Sequence, residues 1–121
     1  MDTEKLGELT LALVPADGPP LSSEADAVDL IGQTYGTGAD MIVLPITRLA
    51  PEFFRLETRL AGLFIQKLQN YQMRLAILGD ISAAMARSRA LTDFVGETNR
   101  IGHHLFVPDR AALDAALTGH N

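Results

Sequence analysis

Four short apolar runs are the feature of this sequence that most constrains its fold. They are separated by longer segments with helical spacing of apolar residues, and they read ELTLALV (8–14), MIVLPI (41–46), RLAILG (74–79) and HHLFVP (103–108). Each run has the length of a buried strand and is too short for a buried helix. Strands that alternate with helices are typical of an α/β fold with a mainly parallel sheet. We therefore predict one small α/β domain over residues 1–121 with a four-stranded sheet. The first strand could also pair antiparallel, or have a hairpin partner before it.

The longest helix is predicted to begin near Pro51, a residue type that suits the first turn of a helix. Its core-facing stripe recurs every three or four residues and comprises Phe53, Leu56, Leu60, Phe64, Leu68 and Tyr71. Further apolar side chains flank this stripe. Together they form more apolar surface than one face of a sheet covers. The excess indicates a second partner, either another helix or another subunit.

Gly62 lies opposite that stripe on the predicted helix. A glycine inside a helix costs about 1 kcal/mol relative to alanine. Close approach of another helix or subunit would offset this cost, and the alternative is a tolerated surface glycine. The predicted interface residues are Phe54, Gly62, Leu63, Ile65 and Gln66.

Composition limits the class of protein. The 121 residues include no cysteine, which excludes disulfides and a thiol nucleophile. The net charge of −5 argues against nucleic acid as a partner, because phosphate binding needs a basic face. No run approaches the length of a membrane span, and the charged N-terminus MDTEKLGELT lacks the apolar core of a signal peptide. We expect a cytoplasmic protein with no membrane partner.

Polar residues follow the predicted strands at their carboxyl ends, where parallel sheets bind ligands. Arg48 follows the second apolar run, and Asp80 and Ser82 follow the third. In a ligand site, Arg48 would neutralise an anionic group and Asp80 would act as a base or hydrogen-bond acceptor. The alternative is that Asp80, like Asp109, caps a helix, because a helix start needs an oxygen acceptor there.

Ser23, with Asp26 three residues on, and Ser88 are also predicted to cap helices. Asn70 is predicted to take the left-handed position at the end of the long helix.

A second polar cluster lies in Glu97-Thr98-Asn99-Arg100. A carboxylate, an amide and a guanidinium within one turn could hold a polar ligand. The alternative is a solvated helix end, in which Asn99 or Gly102 lies near the C-cap and the helix dipole favours Arg100. The predicted ligand-binding candidates are therefore Arg48, Asp80, Ser82, Glu97, Asn99 and Arg100.

The histidines do not indicate a metal site. His103 and His104 are adjacent, so on a regular strand they face opposite sides and cannot chelate one metal together. The sequence contains no nucleophile–base constellation, phosphate-binding glycine loop or HExxH pattern. We predict neither a metal nor a cofactor, and we favour a binding protein over an enzyme.

Several stretches together resemble the bacterial domain-of-unknown-function family 4180, over residues 20–117. The matching stretches are DAVDLI (26–31), VLP (43–45), FFRLETRLAG (53–62), QKLQNYQMRLAILGDIS (66–82), S-x-A-L-x-D-F-V-x-E-T-N-R (88–100) and HLFVPD (104–109). The layout also looks like the STAS fold of sulphate transporters and anti-sigma-factor antagonists. That resemblance implies a small regulatory or interaction module. Anti-sigma-factor antagonists carry a short phosphorylation loop of the Asp-Ser-Ser-Gly type. The corresponding residues 47–54 of this chain, TRLAPEFF, contain no serine, so we expect no phosphoserine switch there.

Two functions follow from these features. The leading hypothesis is a non-enzymatic protein-interaction or regulatory module that acts as a homodimer. The alternative to a second copy of the chain is a different protein partner. The competing hypothesis is a small-molecule-binding protein or enzyme with a polar site at the carboxyl ends of the strands.

Overall fold

The computed structural model describes residues 1–118, which form a five-stranded sheet in the order β1-β2-β3-β4-β5. β1 and β2 form an antiparallel hairpin, and the remaining strands run parallel to β2. The strands are β1 (Asp2–Leu6), β2 (Leu9–Leu13), β3 (Met41–Pro45), β4 (Arg74–Leu78) and β5 (Leu105–Val107). The predicted α/β class is confirmed, and the predicted count of four strands is wrong. The extra strand is the exposed edge strand β1, DTEKL, whose polar residues need no buried face.

Within the part of the chain that the structure describes, five α-helices accompany the sheet: α1 (Glu24–Thr34), α2 (Leu60–Asn70), α3 (Ser82–Ala86), α4 (Arg89–Ile101) and α5 (Arg110–Thr118). Each parallel strand lies beside its predecessor in the chain, so right-handed crossovers place successive helices on the same face. α1, α2 and α4 bury their apolar sides together against that face. α5 covers the opposite face, where Leu113 is fully buried against Leu11 and Met41.

The predicted long helix from Pro51 is wrong. Residues 46–58 instead form three 3-10 turns, Ile46–Arg48, Pro51–Phe54 and Leu56–Thr58, and α2 begins only at Leu60. Arg59 adopts a left-handed backbone with φ 63°, which no α-helix accommodates. The Thr58 hydroxyl stabilises the break, because it donates to the carbonyls of Glu52 (2.8 Å) and Arg55 (2.7 Å).

The apolar stripe of the predicted helix nevertheless reaches the core at most positions. Phe53 is buried from its 3-10 turn and contacts Phe64 edge to face, with ring centroids 5.5 Å apart. Leu68 is fully buried on α2. Tyr71 lies beyond the end of α2 and is 57% exposed, so its place in the stripe was wrong.

Helix caps were predicted more reliably. Ser23 and Asp26 form the expected capping box at α1, and the Ser88 hydroxyl accepts from the Leu91 amide at α4. Asp109 accepts from the Ala112 amide at 2.9 Å, which confirms it as the cap of α5. Asn70 is not the left-handed residue after α2, because Gln72 takes that conformation with φ 59°.

Candidate functional site

A groove runs between α2 and α4, and it is the most apolar of the larger surface depressions in the described chain. We call it the α2–α4 groove. It encloses about 440 Å³, and its lining residues are Gly62, Ile65, Gln66, Gln69, Phe94, Thr98, Ile101, His103 and His104. The volume lies within the range of small-molecule sites, which is about 300–1,000 Å³.

The groove exists because α2 and α4 turn their apolar sides toward the sheet. α2 buries Ala61, Phe64 and Leu68, and α4 buries Leu91 and Val95. Gly62 lies on the outer side of α2, and a Cβ added there would meet nothing within 4 Å. The missing side chain therefore keeps the wall of the groove open.

His104 forms part of the floor of the groove and is 9% exposed. Its Nδ1 accepts a hydrogen bond from the Leu75 amide at 3.1 Å, so the proton resides on Nε2, which donates to Gln69 Oε1 at 2.8 Å. His104 directly precedes β5, so its imidazole provides an acceptor for the Leu75 amide of β4 just before β5 begins. Burial, assisted by the nearby His103 and Arg74, lowers the pKa of His104 from 6.5 to about 4. The imidazole is therefore neutral near pH 7.

His103 lies beside His104, with the two rings edge to face and their centroids 4.8 Å apart. Its Nε2 is buried, and no hydrogen-bond partner for it lies within residues 1–118. The Arg74 guanidinium donates to the carbonyls of His103 (3.0 Å) and Gly102 (3.1 Å), which holds a cation close to this floor. The prediction that both histidines lie on a regular strand is wrong, because β5 begins only at Leu105.

The surface continues from the groove toward the carboxyl ends of the strands. A shallower depression of about 280 Å³ shares Gly62 and Phe94 with the groove and adds Leu56, Arg59 and Leu63. A third, of about 440 Å³, shares Leu56 and is lined by Phe54. We call this connected surface the α2 strip, and it contains all the predicted interface residues: Phe54, Gly62, Leu63, Ile65 and Gln66.

The predicted ligand residue Arg48 faces a loop of its own chain. It donates to the carbonyls of Pro15 (3.0 Å), Asp17 (3.4 Å) and Pro19 (3.1 Å). Gly18 passes so close that an added Cβ would lie 2.6 Å from the guanidinium carbon. Arg48 therefore holds the loop that leads from β2 into α1.

Asp80 and Ser82 meet at the start of α3. Asp80 Oδ1 accepts from the Ser82 amide at 2.9 Å, but the N-cap residue of α3 is Ile81, so Asp80 binds the first amide of the helix from one residue before the cap. Hydrogen bonds from the Ser82 side chain and backbone lower the pKa of Asp80. Both residues also line a depression of about 250 Å³, together with Asn99.

Asn99 completes the outer edge of β5. Its Nδ2 donates to the Phe106 carbonyl at 3.0 Å, and its Oδ1 accepts from the Phe106 amide at 2.8 Å. The side chain thus replaces the strand that this edge lacks. Glu97 and Arg100 instead pair with each other on the exposed side of α4, with Nε–Oε1 at 3.1 Å, and Arg100 lowers the pKa of Glu97. Of the six candidates, Asp80, Ser82 and Asn99 line one depression, Glu97 and Arg100 pair with each other, and Arg48 lines a different depression.

Sequence reasoning missed the roles of His104 and His103. The available signal was the pair of histidines before the shortest apolar run, where a polar ring can extend a short strand. Within residues 1–118, no group of three histidine, aspartate or glutamate side chains is arranged to hold a metal ion. In the same part of the chain, no helix combines the length and apolarity needed to cross a membrane.

The fold and groove define a small mixed α/β domain with a polar-floored apolar groove on its helical face. The chain matches the family described as Domain of unknown function (DUF4180) over residues 7–117, and it belongs to that family. Neither a curated protein nor a solved structure was found to match the chain.

Proposed function

We propose that this protein is a non-enzymatic interaction module that acts as a homodimer through the α2 strip. The observation that carries the proposal is the run of connected depressions beside an open helix glycine, of which the α2–α4 groove and the depression lined by Leu63 are mainly apolar. Leu63 is 37% exposed on this surface, and Ile101 is 65% exposed at its end. Connected apolar surface rimmed by polar residues marks interaction sites.

Gly62 adds a reason for a helix-sized partner. The glycine costs helix stability, and no contact among residues 1–118 explains it, since an added Cβ would meet none of their atoms within 4 Å. A second subunit whose backbone approaches α2 at this point would account for the missing side chain.

A binding role fits better than an enzymatic one because polar groups at the strand ends already serve the chain itself. Arg48 and Asn99 bond to backbone groups, and Asp80 accepts from the first amide of α3. A regulatory role and a STAS-like assignment are part of the proposal. They are supported by the sequence resemblance and by an element order that starts with a hairpin and continues in strand–helix units.

The test is the oligomeric state of the Leu63→Glu variant, measured by light scattering after size exclusion and by native mass spectrometry. Leu63→Glu places a charge on the α2 strip and is expected to convert the dimer to a monomer. The matched control is Val28→Glu, since Val28 is 42% exposed on α1, away from the strip. We expect this control to remain a dimer.

Gly62→Leu tests the same interface by volume. The structure leaves room for the side chain in the monomer, so the variant should fold normally and lose the dimer. A wild-type protein that is monomeric across a dilution series, or a dimer that survives both Leu63→Glu and Gly62→Leu, would overturn the proposal.

A further inference from the structure

We propose that the α2–α4 groove binds a small apolar carboxylic acid, whose carboxylate accepts a hydrogen bond from His103 Nε2 at the floor. The hydrocarbon part of the ligand would lie between Ile65, Phe94 and Ile101. The groove shares Gly62, Ile65 and Gln66 with the α2 strip. The ligand and the proposed second subunit therefore use overlapping surface, and the Leu63→Glu variant below distinguishes the two proposals.

The walls of the groove match an apolar ligand body. Ile65 projects from α2, and Phe94 and Ile101 project from α4 on the other side. Phe94 is held in place by an edge-to-face contact with Phe106, with centroids 6.1 Å apart. A preformed wall of this kind binds without the cost of ordering loose side chains.

The floor of the groove offers hydrogen-bond donors to a ligand that carries an acceptor. His103 Nε2 is buried without a partner among the described residues, and a buried polar atom left in this state is destabilising. Gln69 uses its carbonyl oxygen to accept from His104, so its amide group is a donor. A ligand oxygen at this depth would satisfy the imidazole nitrogen.

The charges around the floor favour an anion over a cation. Arg74 lies close enough to help lower the pKa of His104, and its described hydrogen bonds go to backbone carbonyls. Among residues 1–118, no aspartate or glutamate lines the groove. A carboxylate would therefore meet a positive potential and no repelling carboxylate.

The access of the ligand depends on Gly62. Any side chain at this position would project into open space on the wall of the groove. Leucine there would fill part of the volume that the ligand body needs, while the fold of the helix would be unaffected.

The experiment is a titration of the ¹⁵N-labelled protein with 2-naphthoate and, separately, with hexanoate, followed by amide and imidazole NMR. We expect saturable shifts at the amides of Gly62, Phe94, Thr98 and His103, and a shift of the His103 imidazole nitrogens. Naphthalene-2-carboxamide keeps the ring system and lacks the charge, and it should bind about tenfold more weakly, as loss of one charge-assisted hydrogen bond predicts.

Three variants sharpen the result. His103→Phe keeps a ring against His104 and should lower naphthoate affinity about tenfold. Gly62→Leu should abolish the shifts, whereas Gly96→Leu should keep them, because Gly96 is an exposed glycine of α4 outside the groove with equal space around it.

Leu63→Glu separates the two proposals. Naphthoate shifts that persist in a monomeric Leu63→Glu protein support both. Naphthoate binding to a wild-type protein that never dimerises would overturn only the dimer proposal. Absence of groove shifts with both acids, equal affinity for acid and carboxamide, or binding unaffected by Gly62→Leu would each overturn the ligand site.

Discussion

The two ends of β4 present opposite kinds of polar group. At its carboxyl end, Asp80 is followed by Ser82, and both groups bond within the chain. At its amino end, the His103 imidazole reaches the α2–α4 groove with one nitrogen unpartnered among the described residues. The carboxyl end has the residue types that catalysis uses, yet the amino end has the group left over for a ligand.

This contrast shows that residue type and position do not define a site. Arg48 and Asn99 bond to backbone atoms 29–33 and 7 residues away in the chain, respectively. A buried or half-buried backbone group must find a partner, and a polar side chain beside it supplies one. Only a polar group that remains after these needs are met is available for a ligand.

The largest expected effect is a pH dependence of stability from His104. Its pKa is about 4 in the folded protein and 6.5 when unfolded, so the unfolded chain binds more protons between these values. Stability is fully present above about pH 7.5 and falls as the pH drops through 6.5 toward 4, by about 3 kcal/mol in total. Urea unfolding at pH values from about 7.5 to 5 measures the upper part of this loss, above the range where the carboxylates titrate.

His104→Asn is the matched variant for this prediction. Asparagine keeps an acceptor for the Leu75 amide and does not titrate, so its unfolding free energy should vary less with pH. An equal slope in wild type and variant would show that another group carries the pH dependence.

The second prediction concerns Asn99. Replacing it with alanine leaves the amide and carbonyl of Phe106 unpaired at the edge of β5, and the expected loss is about 2 kcal/mol in the free energy of unfolding. Asn99→Asp keeps the acceptor and should lose less. If the urea midpoint of Asn99→Ala equals that of wild type, water replaces the side chain and Asn99 is available to a ligand after all.

The third prediction tests whether Arg48 is structural. Arg48→Ala removes three hydrogen bonds to the loop of residues 15–20, for an expected cost of about 1 kcal/mol. Cleavage of that loop in limited proteolysis should accelerate several-fold. Arg55→Ala is the control, because Arg55 is exposed and its ion pair with Glu52 is long, at 3.8 Å. Unchanged proteolysis in Arg48→Ala would return Arg48 to the list of ligand candidates.

The smallest effect is expected at Gly62. Alanine has room there and is the better helix former, so Gly62→Ala should stabilise the monomer by about 0.5–1 kcal/mol, as Gly96→Ala should. Thermal unfolding measures both. If Gly96→Ala raises the stability and Gly62→Ala weakens the dimer, Gly62 serves an interface. If both variants behave alike, Gly62 is an ordinary surface glycine.

The sequence predicted the parts of the fold that depend on local pattern. The apolar runs gave the parallel strands, and Ser23, Ser88 and Asp109 gave the helix starts, because a cap needs only the amide a few residues away. β1 was predicted only as an open alternative, a hairpin partner before the first apolar run, since an exposed edge strand has no apolar face to reveal it. The break at Arg59 escaped because helical spacing continues through it and the Thr58 hydrogen bonds depend on a turn already formed.

The candidate site was predicted only in part for the same reason. The α2 strip followed from apolar residues on one segment, and its residues do lie together. The floor of the groove did not follow from the sequence. It depends on hydrogen bonds of His104 with Leu75 and Gln69, which lie 29 and 35 residues away in the chain.

The sequence by itself determined the four parallel strands, most helix caps and the apolar surface of α2, because these depend on neighbours within a few residues. Tertiary structure decided which polar groups the chain uses for itself and which one it leaves buried without a partner among residues 1–118. A hydrogen bond forms only where folding brings donor and acceptor within about 3 Å, and the spacing of residues along a chain does not contain that distance.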